Sequence, residues 1–258
     1  SEVSQLESFA RDIPDAAYQL AEHYWPGPLT LILKRKTEVL DIITAGLDTV
    51  ALRIPNHNVA LNLLKETGPL VAPSANSSGK PSPTKAEHVR EDFGDSFPIL
   101  DGGECQIGLE STVLDVTDVP LRIYRPGAIS RKKLEKATGI PVQLDPGTHD
   151  HASPRSPGQK YSHYTPKARV RWLAPDEQPG DKPQCLYLIH SGASPAGDNV
   201  ISFQTDYEKL ARQLYDHFRQ ADHNGYTEVV IETFSENVSA QSDLFDALIN
   251  RISRAIGE

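Results

Sequence analysis

Five short stretches of this chain gather hydroxyls, glycines and guanidinium groups in patterns suited to holding anions. The first runs Val71-Ala72-Pro73-Ser74-Ala75-Asn76-Ser77-Ser78-Gly79-Lys80-Pro81-Ser82-Pro83-Thr84. It lies between a short apolar run and a helix signal, so its donors could face phosphate or ribose oxygens near a helix N-terminus. Composition alone favours a plain surface turn, because Ser, Asn, Gly and Pro are turn residues in any case. The second is Asp101-Gly102-Gly103 through Gly108-Leu109-Glu110-Ser111-Thr112. Glycines there would let backbone approach a ligand closely, with Ser111 as a donor; the alternative is a glycine-rich hairpin. Glu110, a lone carboxylate, fits a solvated charge best.

The third stretch, Arg125-Pro126-Gly127, puts a guanidinium fork at a strand end. Such a fork suits phosphate, although a solitary surface arginine would look the same. In the fourth, Thr44 to Pro55, Arg53 alternates with apolar neighbours and needs an anionic partner if it points inward. The fifth, Ser156 to Pro166, packs Lys160, Tyr161, His163 and Tyr164 into a region that otherwise reads as a linker. Either it folds over a ligand or its aromatics dock on a domain.

The elements that must position these stretches follow from periodicity. Ala17, Leu20, Ala21 and Tyr24 form a helical stripe, with Pro14 in the first turn. Strands are expected at Leu29–Leu33, Thr49–Ile54, Leu70–Ala72, Pro98–Leu100, Thr112–Val116 and Leu121–Tyr124. Helices are expected from Val59 to Thr67 with Gly68 as a stop, to about Phe93 behind a Thr84/Glu87 capping box, and from Ser130 to Gly139. Many strands with few helices between them predict a twisted mixed sheet. Further on, apolar runs at Cys185–Ile189 and Val229–Ile231 alternate with amphipathic stretches at Tyr207–Phe218 and Leu244–Ile256. That pattern predicts a small parallel sheet flanked by helices. The Pro-, Gly-, Ser- and His-rich region between them divides the chain into a domain at 1–144, a linker at 145–167 and a domain at 168–258.

The bulk numbers narrow the function. A net charge of −9 argues against a protein built mainly to coat nucleic acid. No apolar run reaches the roughly 20 residues a membrane helix needs, and no membrane contact is expected. The two cysteines, Cys105 and Cys185, have no metal-ligand spacing, and a cytoplasmic location with free thiols is the expectation.

Taken together and in this order, the motifs resemble one family. Trp25-Pro26-Gly27-Pro28-Leu29-Thr30, Thr44 to Pro55, Ala72 to Thr84, Gly108 to Thr112 and Arg125-Pro126-Gly127 are similar to the YrdC-like domain of the threonylcarbamoyl-AMP synthases. The linker at Ser156 to Pro166 and the ending Ile249-Asn250-Arg251 are similar to the long form of that family. The resemblance implies a YrdC-like twisted mixed sheet with a concave site, followed by a small Rossmann-like three-layer α/β domain. It implies an ATP-using nucleotidyltransferase acting on L-threonine and bicarbonate or CO2, with magnesium on the phosphates. The product, threonylcarbamoyl-AMP, would pass to the tRNA threonylcarbamoyl transferase machinery.

Carried over by position, Arg53, Ala72 and Ser111 are the threonine-site residues. Thr49, Ser74, Ser82, Arg125 and the linker's Tyr161 are the ATP-site residues, and Asn76 is a support. The resemblance also implies a strand, a Thr-rich turn and a Lys-x-Arg helix upstream of Ser1. Two other functions compete. One is a non-catalytic YrdC-like module that makes a weak RNA contact. The other is a carbamoyl-transfer domain like that of hydrogenase maturation proteins, whose zinc-finger cysteines this sequence lacks.

Overall fold

The computed structural model describes residues 1–145, 164–192, 197–235 and 242–257. The linker expected at 145–167 therefore lies mostly outside the described residues, and Tyr161 with it. The chain forms two compact units. One is Ser1–Pro73 with the described part of Glu110–Lys160; the other is Ser74–Leu109 with the described part of Tyr161–Glu258.

The first unit is built on a five-stranded mixed sheet. Its strands are β1 (Leu29–Lys34), β2 (Thr49–Leu52), β3 (Thr112–Asp115), β4 (Leu121–Arg125) and β5 (Val142–Leu144), in the order β2-β1-β3-β4-β5. β1 runs antiparallel to β2 and parallel to β3; β4 runs antiparallel to β3 and parallel to β5. Alternation sends Leu31 and Leu33 of β1, Leu114 of β3, and Leu121 and Ile123 of β4 into the main core. Two short helices, α1 (Leu6–Phe9) and α3 (Asp41–Thr44), lead to and from this sheet, and α2 (Asp15–Tyr24) supplies Ala17, Leu20 and Ala21 to the same core. Pro14 is the N-cap of α2, one residue ahead of its expected place in the first turn. The opposite face of the sheet carries a small separate cluster, Ile32, Val113 and Tyr124.

The glycine stops and the Ser130 cap act where they were read. Helix α4 (Asn58–Thr67) ends on Gly68 at φ +78°, which only glycine adopts cheaply. Two expected strands do not form. Leu70 and Val71 lie exposed between Pro69 and Pro73, which have no N–H to give a ladder. Pro98–Leu100 is likewise unpaired, with Leu100 exposed.

The second unit begins with the excursion Ser74–Leu109, which contains α5 (Ala86–Phe93). The expected Thr84/Glu87 capping box is absent, because Lys85 is the N-cap and no side chain caps the helix. A buried histidine has taken over instead: the Thr84 amide donates to His88 Nδ1 at 3.1 Å. Helix α6 (Arg131–Thr138) belongs to the first unit; Ser130 Oγ accepts from the Lys133 amide at its start and Gly139 ends it in the left-handed region. The rest of the second unit is a four-stranded, all-parallel sheet of β6 (Arg169–Trp172), β7 (Cys185–Ile189), β8 (Val200–Ser202) and β9 (Glu228–Ile231), in the order β6-β9-β7-β8. Helix α7 (Tyr207–His223) links β8 to β9, and α8 (Phe245–Ile256) follows β9. The parallel sheet matches the expectation. Of its four strands only β7 and β9 are located by the sequence; β6 and β8, four and three residues long, are too short to show a period.

Candidate active site

Strand register explains how residues far apart in sequence meet in the first unit. Thr30 pairs with Val113, Val113 with Arg125, Ile32 with Ala51 and Lys34 with Thr49. Opposed residues project from the same face of a sheet, and side chains two apart share that face. Thr30 and Thr49 therefore line one face, and Arg125 joins them because the β3–β4 register shifts between Val113 and Leu114: strict alternation from Ile123 would send Arg125 to the core side, but the bulge sets it opposite Val113. Arg53 and Ser111, two residues beyond Ala51 and before Val113, continue the same rows. This is the face of the Ile32–Val113–Tyr124 cluster, not the one that holds the main core.

Four of the five crowd one end of the sheet. β1 and β3 begin there, while β2 and β4 finish there, so Thr30, Arg53, Ser111 and Arg125 collect from four strands. Thr49 shares the face but sits four residues from Arg53, about 13 Å along the strand. A molecule reaching both must therefore be extended.

Hydrogen bonds make a cluster of this sheet end. Ser111 Oγ lies 2.7 Å from Thr30 Oγ1. Arg125 clasps Ser111 twice: Nε donates to the Ser111 carbonyl at 3.1 Å and Nη2 donates to Oγ at 3.1 Å. The fork geometry fixes the plane of the guanidinium. Beneath it, buried Thr112 Oγ1 donates to the Ile129 carbonyl at 2.9 Å and accepts from the Ile129 amide at 3.1 Å. Between these clasps Gly127 lies against backbone, and a Cβ there would come within 2.6 Å of the Glu110 carbonyl oxygen. The Trp25–Thr30 turn is tied to the same end, with the Gly27 amide donating to the Ile54 carbonyl at 2.9 Å and Trp25 Nε1 to the Leu29 carbonyl at 2.6 Å. Thr30 was quoted in a motif but given no role by sequence reasoning; the signal for it was its place at the end of Trp-Pro-Gly-Pro. Ala72 falls in the exposed irregular segment before Pro73.

Ser74 and Ser82 belong to the second unit, in a loop without strand or helix. Asn76 Nδ2 gathers this loop by donating to the carbonyls of Ser77 and Lys80 at 2.9 and 3.1 Å. Gly79 turns it at φ +88°, and its carbonyl accepts from the Thr165 amide at 3.0 Å. Asp92, in the last turn of α5, has a fully buried side chain and accepts from the Ser77 amide, Lys80 Nζ and Arg219. Burial alone would push the Asp92 carboxyl up. Hydrogen bonds from Arg219, Lys80 and the Ser77 amide outweigh burial and hold it at about 2, so it stays charged. Asp216 of α7 takes His88 Nε2 at 3.0 Å and Lys85 Nζ at 2.8 Å. The His88 bond does most to hold the Asp216 carboxyl below its ordinary range, against burial and with help from Lys85. Neither Asp92 nor Arg219 was a sequence candidate, because each sits on a helix face that reads as ordinary solvated charge.

Among the described residues, no group of three His, Cys, Asp or Glu side chains could hold a metal ion, and no helix is long and apolar enough to cross a membrane. The arrangement offers hydroxyls, guanidinium forks and backbone amides, a chemistry of anion binding and positioning. Cys105 is exposed and Cys185 buried, and both are free thiols.

Comparison with known proteins agrees with this chemistry. A family model described as "Telomere recombination" (Sua5_yciO_yrdC) matches residues 1–127. A second, "Threonylcarbamoyl-AMP synthase, C-terminal domain", matches residues 129–257. The threonylcarbamoyl-AMP synthase of Pyrococcus abyssi is 39% identical over 272 residues, covering 98% of this chain and 77% of that protein. The enzyme of the same name from Bacillus subtilis is 39% identical over 274 residues, covering 100% and 78%. The crystal structure of Pyrococcus abyssi Sua5 complexed with L-threonine superposes with a TM-score of 0.85 at 37% identity, covering 100% of this chain and 78% of that one. A mixed sheet ending in a hydroxyl–guanidinium cluster, a second unit built on a Rossmann-like parallel sheet, and relatives alike along the whole chain lead to one result: this chain belongs to the threonylcarbamoyl-AMP synthase family, in its long, two-domain form.

Proposed function

We propose that this chain makes threonylcarbamoyl-AMP from L-threonine, bicarbonate or CO2, and ATP, releasing pyrophosphate, for the threonylcarbamoyl-adenosine modification of tRNA. The observation that carries the reading is the Thr30–Ser111–Arg125 network on the sheet face that Arg53 also lines. A relative of the same fold is known with L-threonine bound, which supports the choice of amino acid.

In this reading the threonine amine attacks the carbon of CO2 and loses a proton, giving a carbamate. A carbamate oxygen then attacks the α-phosphorus of ATP as the bond to the β-phosphate oxygen breaks. No covalent bond to the enzyme is needed, so positioning and charge neutralisation carry the catalysis. Arg53 pairs with the threonine carboxylate as a fork. Ser111, already oriented by Thr30 and Arg125, hydrogen-bonds to the threonine, and Ala72 offers backbone. Arg125, Thr49, Ser74 and Ser82 hold the nucleotide, and Tyr161, outside the described residues, is assigned to it by the family resemblance alone. Magnesium would arrive on the ATP phosphates; no residue of this chain is assigned to it. The cytoplasm is the compartment proposed, and the tRNA threonylcarbamoyl transferase machinery is the partner that takes the product.

The test is pyrophosphate release by the full-length protein. It should require threonine and bicarbonate together, and turnover without threonine would overturn the reading. Arg53→Ala should raise the threonine KM by roughly 30-fold, the scale of losing one partner of a charge pair, with a much smaller change in the ATP KM. Equal changes in both would remove the role of Arg53. Filter binding to tRNA with a steep salt dependence, and no nucleotide effect, would favour the RNA-binding module instead.

A further inference from the structure

The Ser74–Thr84 loop is shaped from outside by an ion pair whose two halves lie 127 residues apart. Asp92 Oδ2 accepts from the Ser77 amide at 3.0 Å and from Arg219 Nη2 at 3.0 Å, while Oδ1 accepts from Lys80 Nζ at 2.9 Å and Arg219 Nη1 at 3.1 Å. Arg219 Nη2 also donates to the Pro81 carbonyl at 2.6 Å. Arg219 and Asp92 thus hold loop backbone at both Ser77 and Pro81, between Ser74 and Ser82. Both side chains are almost fully buried, 6% and 0% exposed, so water offers little competition.

This pair is not needed merely to dock α5 on α7. Asp216, close to one turn earlier on α7, already does so through His88 and Lys85. The loop after α5 is fastened to α7 as well, since a Cβ on Gly108 would come within 2.6 Å of the Ala211 carbonyl oxygen. What Arg219 adds is the grip on the loop itself.

We propose that Arg219, in the C-terminal family domain, is a positioning residue for the nucleotide: with Asp92 it fixes the spacing of Ser74 and Ser82, so that this domain sets the ATP requirement of the enzyme. The proposal rests on the reading above of Ser74 and Ser82 as nucleotide contacts, and it gives the second domain a part in the step that uses ATP.

The experiment compares Arg219→Met, Arg219→Lys and the double variant Ser74→Ala/Ser82→Ala in the full-length protein, with Asp92→Asn as a second way to break the pair should Arg219→Met fail to fold. Arg219→Met should raise the ATP KM roughly tenfold, the scale of one lost charged hydrogen bond, and leave the threonine KM within about twofold. Arg219→Lys should recover part of the loss by keeping a donor for Asp92. Without substrates, amide hydrogen exchange across residues 76–82 should speed up about tenfold or more while β7 stays protected. Equal rises in both KM values, or unchanged exchange in the loop, would mark Arg219 as a general brace and overturn the proposal. If Ser74→Ala/Ser82→Ala raises the ATP KM and Arg219→Met does not, the positioning role fails and the nucleotide reading stands. If the double serine variant leaves the ATP KM unchanged, the nucleotide reading of those serines fails and the proposal falls with it.

Discussion

The two candidate binding surfaces of this molecule are held in place for different reasons. At the sheet end, Thr30, Ser111 and Arg125 are placed by strand register: once β1, β3 and β4 pair, these side chains must share a face. The Ser74–Thr84 loop has no register. It is held by charged side chains, Asp92 and Arg219, that are themselves buried and must be paired to stay there. The first surface inherits its order from backbone bonds that also build the core. The second takes its order from a few electrostatic contacts, which can be broken singly. Local construction thus tells which surface should respond to charge and which to sterics.

The largest effect expected is steric. Gly127→Val, with its Cβ against the Glu110 carbonyl, should cost about 3 kcal/mol in urea unfolding. Gly108→Ala, with φ at +79° and the Ala211 carbonyl in the way, should do comparable damage in the second unit. If either glycine tolerates a side chain with an unchanged midpoint, the close backbone approach on its side is not needed.

Acid should then separate the two surfaces. The Asp92 carboxyl is held at about 2 in the folded protein against an ordinary 3.8. A folded value below the unfolded one contributes stability above about pH 4, and that stability is lost as the pH falls towards about 2. The contribution is about 2 kcal/mol. The bonds among Thr30, Ser111 and Arg125 involve no carboxylate, so acid should loosen residues 76–82 before the sheet end. Hydrogen exchange between pH 2 and 5 would show this order, and Asp92→Asn should flatten the pH dependence. Simultaneous loosening of both regions would erase the distinction.

The smallest effect tests the sheet end alone. Ser111→Ala removes one hydroxyl that serves both Thr30 and Arg125 and should cost about 1 kcal/mol in stability. Its effect on the threonine KM should exceed that on stability, because the backbone register stays intact. A larger loss of stability than of threonine binding would make Ser111 structural.

Much was legible from residues in order. The glycine stops at Gly68 and Gly139, the Ser130 cap, the α2 stripe and the parallel second sheet all rest on interactions within a few residues, where period and turn chemistry decide. The failures have the opposite character. Leu70–Ala72 looked like a strand because it is apolar, yet a strand needs a neighbour, and prolines close both sides of the segment. The Thr84/Glu87 box had the right spacing, but the buried ring of His88 took the Thr84 amide.

The sequence by itself determined the family, the element types and which hydroxyls and arginines were worth naming, because these are written in short motifs of fixed spacing. Only the tertiary structure decided that Thr49, Arg53, Ser111 and Arg125 share one face of a sheet, since pairing register is not visible in any single strand. It alone decided that the Ser74–Thr84 loop belongs with the second unit. The reason is physical: Asp92 and Arg219 are ordinary helix-surface charges until folding removes the water around them, and only then must they find each other.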